Sequence, residues 1–143
     1  MRGRRAFVFF SMSLVMSGLT ACPASSNDKG PVCLDAGIDL DCTPAYEPTY
    51  DALYANTFQP SCAKSGVSCH ASTGRQGNVS FDDPEEAYAA LLHDKVRPDD
   101  PACSVLVHRV LATDRKIRMP PGRSLSEGEL CAIVQWVANG AKR

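Results

Sequence analysis

The sequence lacks an apolar run long enough to cross a bilayer. Its longest, residues 6–16, falls well short of the ~20 residues a spanning helix requires. It lacks an excess of positive charge, with 15 Lys and Arg against 16 Asp and Glu, so it has no basic footprint for nucleic acid. It has only three histidines and no cysteines paired as C-x2-4-C, which removes the usual zinc frameworks. No G-x-S-x-G turn presents a nucleophile, so a serine hydrolase has no support. No convincing stretch alternates apolar and polar residues, which leaves little basis for a sheet.

What the chain does have is an export signal and cysteine. Residues 1–21 read as a bacterial secretion signal: Arg2, Arg4 and Arg5, then the short apolar run, then small residues. Leu19-Thr20-Ala21-Cys22 resembles the lipobox of bacterial lipoproteins. That resemblance implies cleavage before Cys22 and attachment of diacylglycerol to its thiol, giving an exported chain anchored to a membrane rather than spanning it. Each buried methylene contributes about 0.8 kcal/mol, so two or three acyl chains suffice as an anchor. Removing the signal takes three of the 15 basic residues and no acid, leaving 12 basic against 16 acidic residues. An exported chain sits in an oxidising compartment, where the remaining cysteines are free to form disulfides.

Residues 23–30 are small and polar and read as a flexible tether. Cys33 and Cys42 enclose Asp35, Asp39 and Asp41 in a loop expected to close on itself through a Cys33–Cys42 disulfide. The carboxylates do not follow the spacing of a calcium loop and read as solvated. This gives a signal at 1–21, a lipidated tether with a disulfide loop at 22–45, and a globular domain at 46–143.

Four helices are expected in that domain. The first, residues 49–58, has Thr49 as its cap, an apolar stripe through Tyr50, Leu53, Tyr54, Thr57 and Phe58, and a stop before Pro60. The second starts at Asp83-Pro84-Glu85-Glu86, a cap, a first-turn proline and two first-turn acids, and runs to about His93. The third spans roughly 102–113, with Cys103 in its first turn. The fourth starts at Ser126, which forms a capping box with Glu129, and ends at Asn139-Gly140. Val79-Ser80-Phe81 reads as a short extended piece. Cys103 and Cys131 each lie early in a helix, and a Cys103–Cys131 bridge tying those helices is expected. The class is all-α, with about four helices and long loops.

The chemistry gathers at residues 61–70, S-C-A-K-S-G-V-S-C-H. Cys69-His70 is the end of a c-type haem attachment site, in which two thiols form thioethers and the adjacent imidazole binds iron. The usual spacing is C-x-x-C-H; here six residues separate Cys62 from Cys69, and Gly66 lets that stretch bulge. The spacing leaves open a Cys62–Cys69 disulfide, and a single thioether through Cys69.

From residue 58 to 141 the chain resembles small cytochrome c-like domains common in planctomycetes and myxobacteria. The matching features begin with an aromatic-bearing helix before the first cysteine, then Cys69-His70 and the Gly-containing loop after it. Next come D-D-P-x-x-S-x-L at residues 99–106, Met119-Pro120-Pro121-Gly122, Leu125-Ser126 and W-V-A-N-G-A at residues 136–141. The resemblance implies a small cytochrome c-like fold whose terminal helices cross, with covalent haem c on Cys62 and Cys69. His70 would be the proximal ligand and Met119 the distal one, with His93 and His108 as alternatives. It implies an electron carrier rather than an enzyme, since both axial positions are filled by protein. Arg115, Lys116, Arg118 and Arg123 flank Met119 as a positive rim or as plain solvated charge. The competing expectation is a haem-free domain of the same fold, stapled by disulfides and serving as a binding or structural module at the cell envelope.

Overall fold

The computed structural model describes residues 33–35, 37–63 and 69–143. The expected signal, Cys22, the tether at 23–30 and the bulge around Gly66 lie outside the described residues. The described residues are helical with long connections and contain no strand. None of their helices is long and apolar enough to cross a membrane.

The first helix begins at Thr49, whose side chain accepts from Ala52 N at 3.4 Å. It consists of α1, Tyr50–Leu53, and continues without a break into the π-helix Tyr54–Ala63. It was expected to stop before Pro60 and instead runs past it. A proline inside an α-helix removes a backbone donor and collides with the preceding turn. The wider π winding carries Pro60 within the helix and brings the chain round to Cys62.

Helix α2, Pro84–Asp94, starts as its sequence dictates: Asp83 Oδ1 accepts from Glu86 N at 2.8 Å, with Pro84 in the first turn. The expected third helix is divided. A 3₁₀ turn, Pro101–Cys103, precedes Ser104 in an extended conformation, and α3 occupies only Val105–Leu111. Ser104 causes the break. Its buried hydroxyl accepts from Arg97 N at 2.8 Å and donates to Asp100 O at 2.9 Å, bonds that compete with continued helix. Helix α4, Glu127–Ala138, carries the full capping box between Ser126 and Glu129 and ends at Asn139 and the left-handed Gly140.

The core is a chain of rings between the first helix and α4. Tyr50 and Phe58 lie 6.0 and 6.4 Å from Trp136, Phe58 stacks on Phe81 at 5.0 Å, and Tyr88 lies 4.8 Å from Tyr50. The buried polar tips of these rings find carbonyls: Tyr50 Oη donates to Pro84 O, Tyr54 Oη to Phe81 O, and Trp136 Nε1 to Lys142 O. These bonds tie the first helix to the loop after His70 and lock the C-terminus onto α4.

The disulfides correct the expected pairing. Neither Cys33–Cys42 nor Cys103–Cys131 forms; the bonds are Cys33–Cys103 and Cys42–Cys131. Residues 33–45 are therefore a strap laid over the domain rather than a loop closed on itself. Leu34 N donates to Ala102 O at 2.9 Å and Ala45 N to Gly128 O at 3.0 Å. Between them, Gln135 Nε2 donates to the carbonyls of Leu40 and Cys42. These anchors set each strap cysteine opposite a domain cysteine. Gly128 permits the approach, because a Cβ there would stand 2.9 Å from the Cβ of Ala45.

Candidate functional site

The candidate residues lie on three pieces of chain. Cys62 is in the last turn of the π-helix, Cys69-His70 opens the loop leading to α2, and Met119 is in the loop between α3 and α4.

Backbone bonds hold Cys69 and His70 in place. The Cys69 carbonyl accepts from Gln76 N at 2.8 Å and the His70 carbonyl from Phe81 N at 2.7 Å. Ala71 O accepts from Gly74 and Arg75, and Ser72 N donates to Asp82 Oδ2. Of the expected extended piece at 79–81, Val79 is extended, and Phe81 N bonds to this loop rather than to a sheet. The His70 ring meets Phe81 edge-on at 5.7 Å, and its Nδ1 is buried with no hydrogen-bond partner. Burial holds the imidazole below its ordinary pKa, and nearby Lys95 pushes the same way. The backbone at Val79 and Gln76 offsets this only in part. The ring is therefore neutral near pH 7, the form that binds metal.

Cys62 and Cys69 are not bonded to each other. Cys62 is a free thiol, whereas Cys69 is buried and disulfide-bonded. The short-loop bridge considered from the sequence is therefore not what the structure has. Burial pushes the Cys62 thiol up to about 12, with Arg123 pulling it down and Glu129 pushing it further up. Glu129, near the start of α4, in turn accepts from Thr57 at 3.2 Å, and Thr57 bonds Tyr46. The groups that shift His70 belong to the 76–81 loop and Lys95, and none of them is among those acting on Cys62.

Met119 is half-buried on a clamped loop. Its backbone N donates to Arg109 O at 2.9 Å, the Met119–Pro120 peptide is cis, and Pro120 is buried. Ahead of it, the amides of Ile117 and Arg118 both donate to Asp114 O. Arg109 Nη1 reaches back to Ile117 O at 3.4 Å. Arg118 Nε is buried without a partner. Arg115, Lys116 and Arg123 are exposed.

The alternative ligands are placed differently. The His93 side chain is 83% exposed and lies 3.8 Å from Asp94, so it faces solvent. His108 is half-buried on α3. Among the described residues no three His, Cys, Asp or Glu side chains gather as a metal site. Sequence reasoning named His70 and Met119 but missed Arg118 as a half-buried group. Arg115 and Lys116 ahead of it are exposed, and the loop that carries it folds back onto Arg109.

The residues fit a haem at the level of ligands. A neutral imidazole with an unpartnered buried nitrogen and a thioether on a fixed turn are the donor types that a six-coordinate haem iron takes. Cys69 fits only as a thiol, so a haem-bearing form and the form with this disulfide exclude one another.

The family model described as Planctomycete cytochrome C matches residues 67–122. No curated protein and no solved structure matches the chain. The matched stretch begins just before Cys69-His70 and ends just after Met119-Pro120-Pro121. Within this all-helical fold, residues 67–122 are similar to the planctomycete-type cytochrome c-like family.

Proposed function

We propose that this chain is an exported, lipid-anchored c-type cytochrome domain that carries one haem and passes single electrons between redox partners at the cell envelope. The observation that carries this reading joins the match to the geometry. Two buried side-chain polar atoms among the described residues lack partners, His70 Nδ1 and Arg118 Nε, and both fall inside the matched stretch. A buried polar atom without a hydrogen bond costs on the order of 1–3 kcal/mol. A fold whose other buried polar side chains are well satisfied bears that cost where a further group binds.

In this reading Cys62 and Cys69 hold the haem through thioethers, His70 supplies the proximal ligand and Met119 the distal one. When bound, the haem supplies a one-electron couple, and His/Met ligation sets its potential high. The protein's part is to hold both ligands still. The bonds at Cys69 O and His70 O fix the imidazole, and the bond from Met119 N to Arg109 O fixes the opposite loop. With no position left for substrate, the domain carries electrons and performs no catalysis.

The disulfide at Cys69 favours a second reading. In it the domain is haem-free, held by its staples, and serves as a binding or structural module. The absorption spectrum of the exported, purified protein separates the two. The cytochrome reading expects a Soret band, together with a weak methionine-to-iron band that Met119→Ala abolishes. A colourless protein that is folded and stable establishes the second reading.

A further inference from the structure

The two disulfides that hold the strap are not equally guarded. Cys33 is exposed, and its partner Cys103 is half-buried at the end of the short turn Pro101–Cys103. Cys131 is only 2% exposed within α4, and its partner Cys42 is half-buried. A disulfide opens when a thiolate reaches one of its sulfurs, so access decides which bond yields first.

The strap is also held unevenly along its length. From Cys42 onward, Ala45 N donates to Gly128 O at 3.0 Å, and Tyr46 Oη bonds the hydroxyl of the fully buried Thr57. Ahead of Cys42, Leu34 N donates to Ala102 O at 2.9 Å and Gln135 Nε2 to Leu40 O at 2.8 Å. Leu34 and Ile38 are half-buried against the core, while Asp35, Asp39, Leu40 and Asp41 are exposed. The Asp41 amide donates within the strap, to Asp39 Oδ1. Without the Cys33–Cys103 bond, these few contacts alone oppose the conformational entropy of residues 33–41. Segments held this lightly sit at the low end of local stability.

We propose that Cys33–Cys103 is a redox clip, whose reduction by a dithiol frees residues 33–41 while Cys42–Cys131 keeps the rest of the strap in place. One thiolate of the dithiol attacks the exposed Cys33 sulfur, and Cys103 leaves as a thiolate. The second thiol then attacks the dithiol's own sulfur in the mixed disulfide and releases Cys33. The dithiol ends as a disulfide, and its two electrons and two protons end on Cys33 and Cys103 as thiols. The clip sets how far the domain can stand from its anchor, a part of the inference that rests on the lipid-anchored reading. Closed, residues 23–32 separate Cys22 from Cys33, a reach of at most about 35 Å; open, residues 23–41 separate Cys22 from Cys42, at most about 65 Å.

The test takes the full exported chain through rising dithiothreitol, traps thiols with iodoacetamide and places them by peptide mass. Cys33 and Cys103 are expected to be labelled at a reductant concentration at least tenfold lower than Cys42 and Cys131. The double variant Cys33→Ser, Cys103→Ser opens the clip without reductant. Its Leu34 amide is expected to exchange with solvent at least tenfold faster than in the parent, while the Ala45 amide is unchanged. Should that variant fail to fold, the same two amides are read in the parent at the dithiothreitol concentration that opens the first bond. Opening of Cys42–Cys131 first or together with Cys33–Cys103 overturns the proposal. So does Leu34 exchange that is unchanged, or that rises equally with Ala45. None of these readouts involves haem or lipid, so the clip can fail while the cytochrome reading stands. A labile clip on a chain whose Cys22 lacks acyl groups overturns the reach to the membrane and supports the clip.

Discussion

The two sides of the domain are built on opposite principles. Around the strap and α4, the buried polar groups are bonded and both described strap cysteines are spent in disulfides. Glu129 alone accepts from Ser126 N, Ser126 Oγ and Thr57 Oγ1, and two disulfides tie the strap to α4 and to the Pro101–Cys103 turn. The loops that carry His70 and Met119 are just as firmly held by backbone bonds, yet each leaves one buried nitrogen without a partner. The difference separates a region whose buried polar groups bond one another from loops that leave two of them without a partner.

Reducing both staples tests that contrast most severely. Each closes a long stretch of sequence, separations of 70 and 89 residues, and each contributes about 2–4 kcal/mol. Thermal unfolding with and without a strong reductant is expected to show a drop of many degrees. An unchanged midpoint would mean that the strap contributes nothing to the fold. Next in size is Gly128→Ala, which drives a methyl into Ala45 and is expected to cost about 1–3 kcal/mol by lifting the strap. Ser126→Ala removes the capping box and should cost about 1 kcal/mol, read from denaturant midpoints.

The same carboxylate gives a pH signature. Burial raises the pKa of Glu129, but hydrogen bonds from Ser126 and Thr57 outweigh it and hold the group below its ordinary value of 4.5. Its contribution is therefore present above about pH 4.5 and is lost as pH falls through the lower, folded value. Glu129→Gln should flatten the stability profile in that acid window and leave it unchanged above. The smallest effect belongs to the other side. In protein from which haem is withheld, His70→Ala should cost about 1 kcal/mol, since the edge contact with Phe81 and the backbone interactions at Val79 and Gln76 go while an unpartnered buried Nδ1 is removed with them. A large loss there would show that His70 is an ordinary core residue.

Much of this was legible from local chemistry. The caps at Thr49, Asp83 and Ser126, the left-handed Gly140 and the helical stripe containing Tyr50 and Phe58 each act within a few residues. Pro60 misled because its usual effect assumes α winding. Ser104 misled because its bonds to Arg97 and Asp100 form only once the loop has turned. The disulfides misled for a deeper reason. Proximity in sequence favoured Cys33 with Cys42, while the partner of each is set by where the strap crosses α4 and the Pro101–Cys103 turn. At the site, the residue types of His70 and Met119 were readable. The free thiol at Cys62, the bonded Cys69 and the stranded Arg118 were not, because burial and pairing belong to tertiary structure.

The central claim is that the His70–Met119 side is completed by covalent haem. Intact mass of the exported chain, measured after full denaturation and reduction, tests it most directly. The account predicts a chain heavier by one haem, with the added mass lost in Cys69→Ala. A chain at its unmodified protein mass, with Cys62 and Cys69 both recovered as free thiols after reduction, would contradict it.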